Sequence, residues 1–278
     1  MNSPKIVVDA LKHQKINEHV RISSAYLEEP NLGMRKTMED FVIHEPDLLD
    51  DGRYSLYCVL DGHGGADVAE YLYKHFPKLI KDNLVTYESI YNIDEIFALT
   101  LTTIENNMRL INSRETGSTF CAVFIDRKLK EMYVVNIGDS QMLQVVCEDD
   151  RKLSSGFLCK SHKTTNKEEM MRISRSGGNV KNGRVGGFLM LTRSIGDFSL
   201  KKYGLISTPD IEQYAVDTAS LLILCSDGIW DYVQPEDVMN IIVANQDYDC
   251  EAIARTLIQE AIIKGSLDNI SAICVLIY

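Results

Sequence analysis

"TFCAVFIDRKLKEMYVVNI", residues 119–137, sets two apolar runs, 119–126 and 132–137, on either side of the charged stretch RKLKE. β-Branched and aromatic residues dominate both runs, and the short polar connection reads as a hairpin loop, so these strands run antiparallel. Further strands are predicted at 54–60, 142–146, 221–225 and 270–277, several of them bounded by Gly, Asp or Ser. Helical patterns lie in blocks between them. Over 94–112, Phe97, Leu101, Ile104, Met108 and Ile111 form one apolar stripe. Residues 66–80 carry Val68, Leu72, Phe76, Leu79 and Ile80 on a comparable face, with Pro77 expected to kink or end the helix. In 250–265, Ile253, Leu257, Ala261 and Ile262 repeat the pattern before a capping Gly265, and Pro235 opens another helix. Hairpins in place of strict strand–helix alternation give an α+β class, with antiparallel sheets covered by helices.

No Pro- or Ser-rich linker and no internal repeat divides the 278 residues, so one domain is expected. No apolar run approaches the length of a membrane span, and the first twenty residues lack a signal-peptide core. The seven cysteines are scattered singly, and Cys58, Cys121, Cys225 and Cys274 sit inside apolar runs, which points to a reducing compartment. The expected location is the cytoplasm, with the nucleus as a second. Forty acids against 29 bases give a formal charge of −11, a field that repels nucleic acid and anionic membranes. A phosphate-handling site therefore needs local positive charge. Residues 160–184 supply some, since seven bases there face only Glu168 and Glu169.

The chemistry is carried by acids placed where apolar runs stop. Asp61 follows "YCVL", Asp227 follows "LLILCS", and Glu39, Asp40, Asp139, Asp231 and Asp268 sit in similar flanking positions. An isolated Asp-Gly is ordinary turn chemistry. Several carboxylates converging at one rim of a sheet are different. Two of them about 4 Å apart repel by roughly 4 kcal/mol at an effective dielectric near 20, so such a cluster protonates, splays or binds cations. Oxygen-only ligands select hard ions, Mg²⁺, Mn²⁺ or Ca²⁺.

The ordered set "RKTMED" (35–40), "VLDGHGG" (59–65), "GSTFCAVF" (117–124), "NIGDSQ" (136–141), "RVGGFLMLTRSIGDF" (184–198), "LILCSDGIWD" (222–231) and "LDNISAICVLI" (267–277) resembles the metal-dependent Ser/Thr protein phosphatases of the type 2C family. The resemblance covers nearly the whole chain. It implies an α+β fold with a central β-sandwich of two antiparallel sheets flanked by α-helices. Residues 21–278 would form a single catalytic domain, including a flap at about 160–190, after an N-terminal extension at 1–20.

The resemblance also implies two Mn²⁺ or Mg²⁺ ions, with a weaker third, and a hydroxide bridging the two that attacks phosphoserine or phosphothreonine directly. Asp61 would bridge the ions. Asp227 and Asp268 would complete one, Glu39 and the Gly62 carbonyl would serve the other, and Asp40 would hold metal-bound water. Asp139 and Asp231, with Asp227, would hold the third ion, Arg35 would clamp the phosphate and His63 would act as general acid. Substrates would be phosphorylated proteins and the enzyme a monomer. A catalytically weak or silent relative acting as a binding module, and a hydrolase of small phosphate esters, stand as alternatives. Two positions depart from the family pattern: Gln141 replaces a usual Arg, and Ser161 replaces a usual Asp.

These roles suit the residue types. Arg35 offers a planar fork of donors to phosphate oxygens, and His63 can carry a proton near neutral pH. Asp139 could instead cap a turn and Asp231 could face solvent, while Trp230 reads as a packing anchor. The positive flap, with Lys163, Lys167 and Lys181, is expected to tune substrate choice.

Overall fold

The computed structural model describes residues 7–12, 15–16, 19–109, 113–148 and 152–278. Two antiparallel sheets stack face to face. The first has five strands in the order Ile22–Glu29, Ile270–Ile277, Ser220–Cys225, Gln141–Cys147 and Leu153–Phe157. The second is built on Tyr54–His63, which pairs with Asp40–Glu45 on one side and Phe120–Asp126 on the other; Glu131–Ile137 and Asp210–Ala215 follow outward. Short strands Gly117–Ser118 and Ile195–Gly196 extend this sheet at the end of Tyr54–His63.

Strand alternation explains why the apolar runs are continuous. In the second sheet Leu56, Cys58 and Leu60 point outward beneath helices, whereas Tyr57 and Val59 point into the sandwich. Phe120, Ala122 and Phe124 divide from Cys121, Val123 and Ile125 in the same way. The first sheet puts Leu221, Ile223 and Cys225 under its helices and Leu222 and Leu224 between the sheets. The central strands are therefore dry on both faces, and period-2 polarity is absent from them. Helices Asp67–Tyr87 and Ile93–Met108 cover the second sheet; Pro235–Ala244 and Cys250–Ile263 cover the first, joined by the short helix Val7–Leu11, whose Val7, Val8, Ala10 and Leu11 are buried.

The hairpin at 119–137 forms with Asp126 opposite Glu131. Several boundaries differ from expectation. The strand expected at 54–60 runs on to His63, because Asp61 pairs with Asp40 and Gly62 with Ser118. Pro77 does not end its helix: Asp67–Tyr87 passes through it, and Phe76, Ile80 and Leu84 are fully buried on the continuing stripe. Packing on both sides of the proline outweighs the roughly 3 kcal/mol that an interior proline costs. Ile262 is exposed, and Ala254 and Ile258 join the buried face in its place. Ile111 lies outside the described residues. Strands Ile22–Glu29, Asp40–Glu45, Leu153–Phe157 and Asp210–Ala215 were not among those predicted, since their polar residues and partial exposure blur the pattern.

The segment 160–190 is folded. Helix Lys167–Arg175 and the ribbon Val180–Lys181/Arg184–Val185 close on a small core of Ile173, Val185, Leu200 and Leu205. No helix among the described residues is long and apolar enough to cross a membrane.

Candidate active site

The acids meet at one end of the sandwich, and both sheets contribute. Asp61 comes from the end of Tyr54–His63, and Asp139 from the turn that carries the chain from Glu131–Ile137 in one sheet to Gln141–Cys147 in the other. Asp227 opens the short helix Asp227–Trp230 just after Ser220–Cys225, and Asp268 precedes Ile270–Ile277. Carboxylate oxygens of Asp61, Asp139 and Asp227 lie within 4.8 Å of one another. Around them a cavity of about 400 Å³ is lined also by Arg35, Glu39, Gly62, His63, Asp231 and Asp268.

This cluster is electrostatically costly. Burial raises the Asp61 carboxyl well above the ordinary range, and Asp227, Asp40, Asp139 and Asp268 push it further. Burial and then Asp139, Asp231 and Asp268 carry Asp227 from 3.8 to about 8. Burial also raises Asp139, although Lys163 opposes the rise. Carboxylates that resist ionisation together, all with oxygen donors and facing one cavity, are the donor set that a hard divalent cation satisfies. The residues present therefore fit the ions that the sequence suggests.

The other expected residues divide into those at the cavity and those behind it. Glu39 lines it, with its carboxylate accepting from Thr37 Oγ1 (3.0 Å) and from the Gly65 amide (3.3 Å). Gly62 bonds through its amide to the Glu39 carbonyl (3.1 Å), and any Cβ there would lie 2.4 Å from that oxygen. Arg35 is ion-paired to Asp268 at the rim. Asp40 is buried behind the cluster, where Ser271 Oγ donates to its Oδ2 at 2.8 Å; burial raises it to about 7, although Ser271 and Ser226 pull it down. Asp139, expected on a third ion with Asp231 and Asp227, stands close to both Asp227 and Asp61.

Lys163 was grouped with the substrate-facing charge of the flap. Its Nζ lies instead 3.2 Å from Asp139 Oδ2 and 3.0 Å from Asp231 Oδ1. Burial works against its charge, but Asp139 and Asp231 prevail and raise its pKa above that of an ordinary lysine. Much of the remaining positive charge nearby is also paired: Lys160 to Glu168, and Arg172 and Arg193 to Glu169.

Asp197 was missed as a functional residue. It is 2% exposed, holds a positive φ of 48°, and places Oδ2 2.6 Å from His63 Nε2 and 2.6 Å from Ser194 Oγ. A Cβ on Gly117 would fall 2.1 Å from Asp197 Oδ2 and 2.6 Å from His63 Nε2, so only glycine lets this pair meet. The available signal was the Gly-Asp turn in "RSIGDF", which alone says nothing of a histidine partner. His162 is buried, with Nδ1 accepting from the Gly138 amide (3.1 Å) and Nε2 3.1 Å from Asp210. Gln141, at one of the departing positions, donates to the Cys159 carbonyl (3.1 Å) and accepts at its own carbonyl from Trp230 Nε1 (2.9 Å). Trp230 packs edge-on against Phe157, as a packing anchor.

The protein phosphatase 2C family model matches residues 26–270. Among curated proteins, the rice (Oryza sativa subsp. japonica) probable protein phosphatase 2C 7 is 35% identical, with 87% of this chain and 63% of that protein covered. The rice probable protein phosphatase 2C 45 is 34% identical over 94% of this chain and 89% of that protein. Among solved structures, the serine-threonine phosphatase 2C from Toxoplasma gondii superposes with a TM-score of 0.75 at 20% identity, covering 95% of this chain and 97% of that one. A C. elegans sex determining protein gives 0.76 at 24% identity, with coverages of 93% and 65%. The fold is thus shared with these structures. The chain belongs to the protein phosphatase 2C family, whose members are Ser/Thr phosphatases.

Proposed function

We propose that this chain hydrolyses phosphoserine and phosphothreonine in proteins, in a reaction that requires Mn²⁺ or Mg²⁺. The observation that carries the reading is the convergence of Asp61, Asp139 and Asp227 within 4.8 Å, in a cavity that also presents Arg35 and His63. Asp61, Asp227, Glu39, Asp268 and the Gly62 carbonyl are the groups that would hold the ions. When bound, divalent ions there would offset the negative charge of the phosphomonoester and activate water for attack on phosphorus.

The chain's own residues supply the rest. Arg35, released from Asp268, can turn its guanidinium fork to non-bridging phosphate oxygens. Asp197 holds His63 through Nε2, which leaves Nδ1 as the ring nitrogen able to pass a proton to the departing Ser or Thr oxygen. No side-chain nucleophile is called for, and Cys58, Cys121, Cys225 and Cys274 are buried in the core. A protein substrate is favoured over a small ester because a second cavity, about 530 Å³, continues past His63 and Gly64 and is lined by Phe188, Leu189, Leu200 and Tyr203. It offers apolar space for residues flanking the phosphate.

The test is turnover of a phosphothreonine peptide, a nucleotide and an aryl phosphate with Mn²⁺ or Mg²⁺, with and without chelator, beside Asp227→Asn. Metal-dependent turnover of the peptide that Asp227→Asn abolishes is expected. Chelator-resistant activity or an unimpaired variant would overturn the reading, and nucleotide turnover exceeding that of the peptide would overturn the substrate class.

A further inference from the structure

The Asp139–Asp231 edge of the acidic cluster already contacts a cation that belongs to the chain. Lys163 Nζ lies within salt-bridge distance of both carboxylates, and its side chain is 22% exposed. The backbone holds it there. His162, one residue earlier, donates its amide to the Gly138 carbonyl (2.9 Å), and its ring accepts from the Gly138 amide, so the base of the flap is fastened to the turn that carries Asp139. On the other side, Thr164 N bonds to Met190 O (2.9 Å), and Lys163 bridges to Leu191. The ammonium therefore reaches the two acids from a constrained stem.

We propose that Lys163 is a tethered cation that occupies the Asp139–Asp231 position, so that its ammonium and a further divalent ion exclude one another there. The inference rests on the metal-dependent reading above. It says that this edge of the cluster is neutralised from within the chain, and that ions are accepted on the Asp61–Asp227 side. Two positive charges cannot share one pair of carboxylates: an ion accepted by both acids would fall on the ammonium, and burial strengthens their mutual repulsion. Lys163 is thus a positioning residue. It links the flap at 160–190 both to the sandwich turn at Asp139 and to the end of the short helix at Asp231, so displacing it would release one tie between flap and cluster.

The test counts ions without reference to turnover. Mn²⁺ bound per chain is measured by electron paramagnetic resonance of the free ion, up to millimolar concentration, for the full chain and for Lys163→Met, Lys163→Arg and the double variant Lys163→Met/Asp231→Asn, each checked for folding by its thermal transition. The expected result is one additional ion per chain in Lys163→Met, absent in Lys163→Arg, which keeps the charge, and absent again in the double variant. Limited proteolysis should cut the 160–190 segment at least several-fold faster in Lys163→Met. An unchanged ion count in folded Lys163→Met would overturn the inference while leaving the metal-dependent reading intact. Absence of Mn²⁺ binding by the unsubstituted chain would overturn both.

Discussion

Removing divalent cations should make the stability of this protein fall as pH rises from about 5 to about 8, and adding Mn²⁺ should abolish that slope. Asp227 binds its proton with a pKa of about 8 in the folded chain, against 3.8 for a free carboxyl, and Asp40 with a pKa of about 7. Between those limits the folded state holds protons that the unfolded state has released. The stabilisation is therefore complete below pH 4 and is lost as pH climbs through 7 to 8. At about 1.4 kcal/mol per pH unit, the rise at Asp227 alone corresponds to an upper limit of about 6 kcal/mol. Asp61, Asp139 and Asp227 share the same repulsion, so one bound proton relieves part of it for all three, and a net change of about 2–3 kcal/mol is the reasonable expectation. For a chain of this size that is a fall in melting temperature of roughly 5–10 °C. Differential scanning calorimetry at pH 5, 6, 7 and 8, in EDTA and in saturating Mn²⁺, measures it. The ions bind the ionised cluster and replace the protons, so the Mn²⁺ series should lie above the EDTA series and be nearly flat. An EDTA melting temperature that rises across this range, or one that Mn²⁺ does not lift at pH 8, would refute the account of the cluster.

Asp197→Asn should lower kcat on a phosphoserine peptide about 10–100-fold while sparing p-nitrophenyl phosphate, whose leaving group needs no proton; equal losses on both would remove the positioning role of Asp197 toward His63. Gly117→Ala should disrupt the same pair by steric contact, lowering peptide turnover and destabilising the fold by about 2 kcal/mol in chemical denaturation, and unaltered kinetics would contradict the close approach. Pro77→Ala should raise stability by about 1 kcal/mol, because the helix already runs through that position; a loss would mean that the ring contributes packing that outweighs the missing amide.

The class of fold, and most of the residues that line the candidate site, were legible in the order of residues. The hairpin at 119–137 announces antiparallel pairing because strand alternation and turn chemistry are local. Asp61 and Asp227 announce themselves because acids at the ends of apolar runs need an explanation that turns alone do not supply. At Pro77, by contrast, the sequence left open whether the helix ends: whether it continues past a proline depends on the burial of Phe76, Ile80 and Leu84, which is a tertiary quantity. Strands such as Asp210–Ala215 escaped notice because half-exposed positions lack the apolar signal that the central strands carry on both faces.

Three contacts are fixed by the three-dimensional arrangement, and the last two had no counterpart in the sequence reading. Asp139 stands with Asp61 and Asp227, Lys163 spans Asp139 and Asp231, and Asp197 grips His63 from more than a hundred residues away. Local sequence encodes which elements form and which acids end them, since propensity and periodicity act over a few residues. Which carboxylate meets a lysine, and which meets a histidine, is decided by how two sheets and the segment 160–190 converge at one rim, where electrostatic energies depend on separations of a few ångströms.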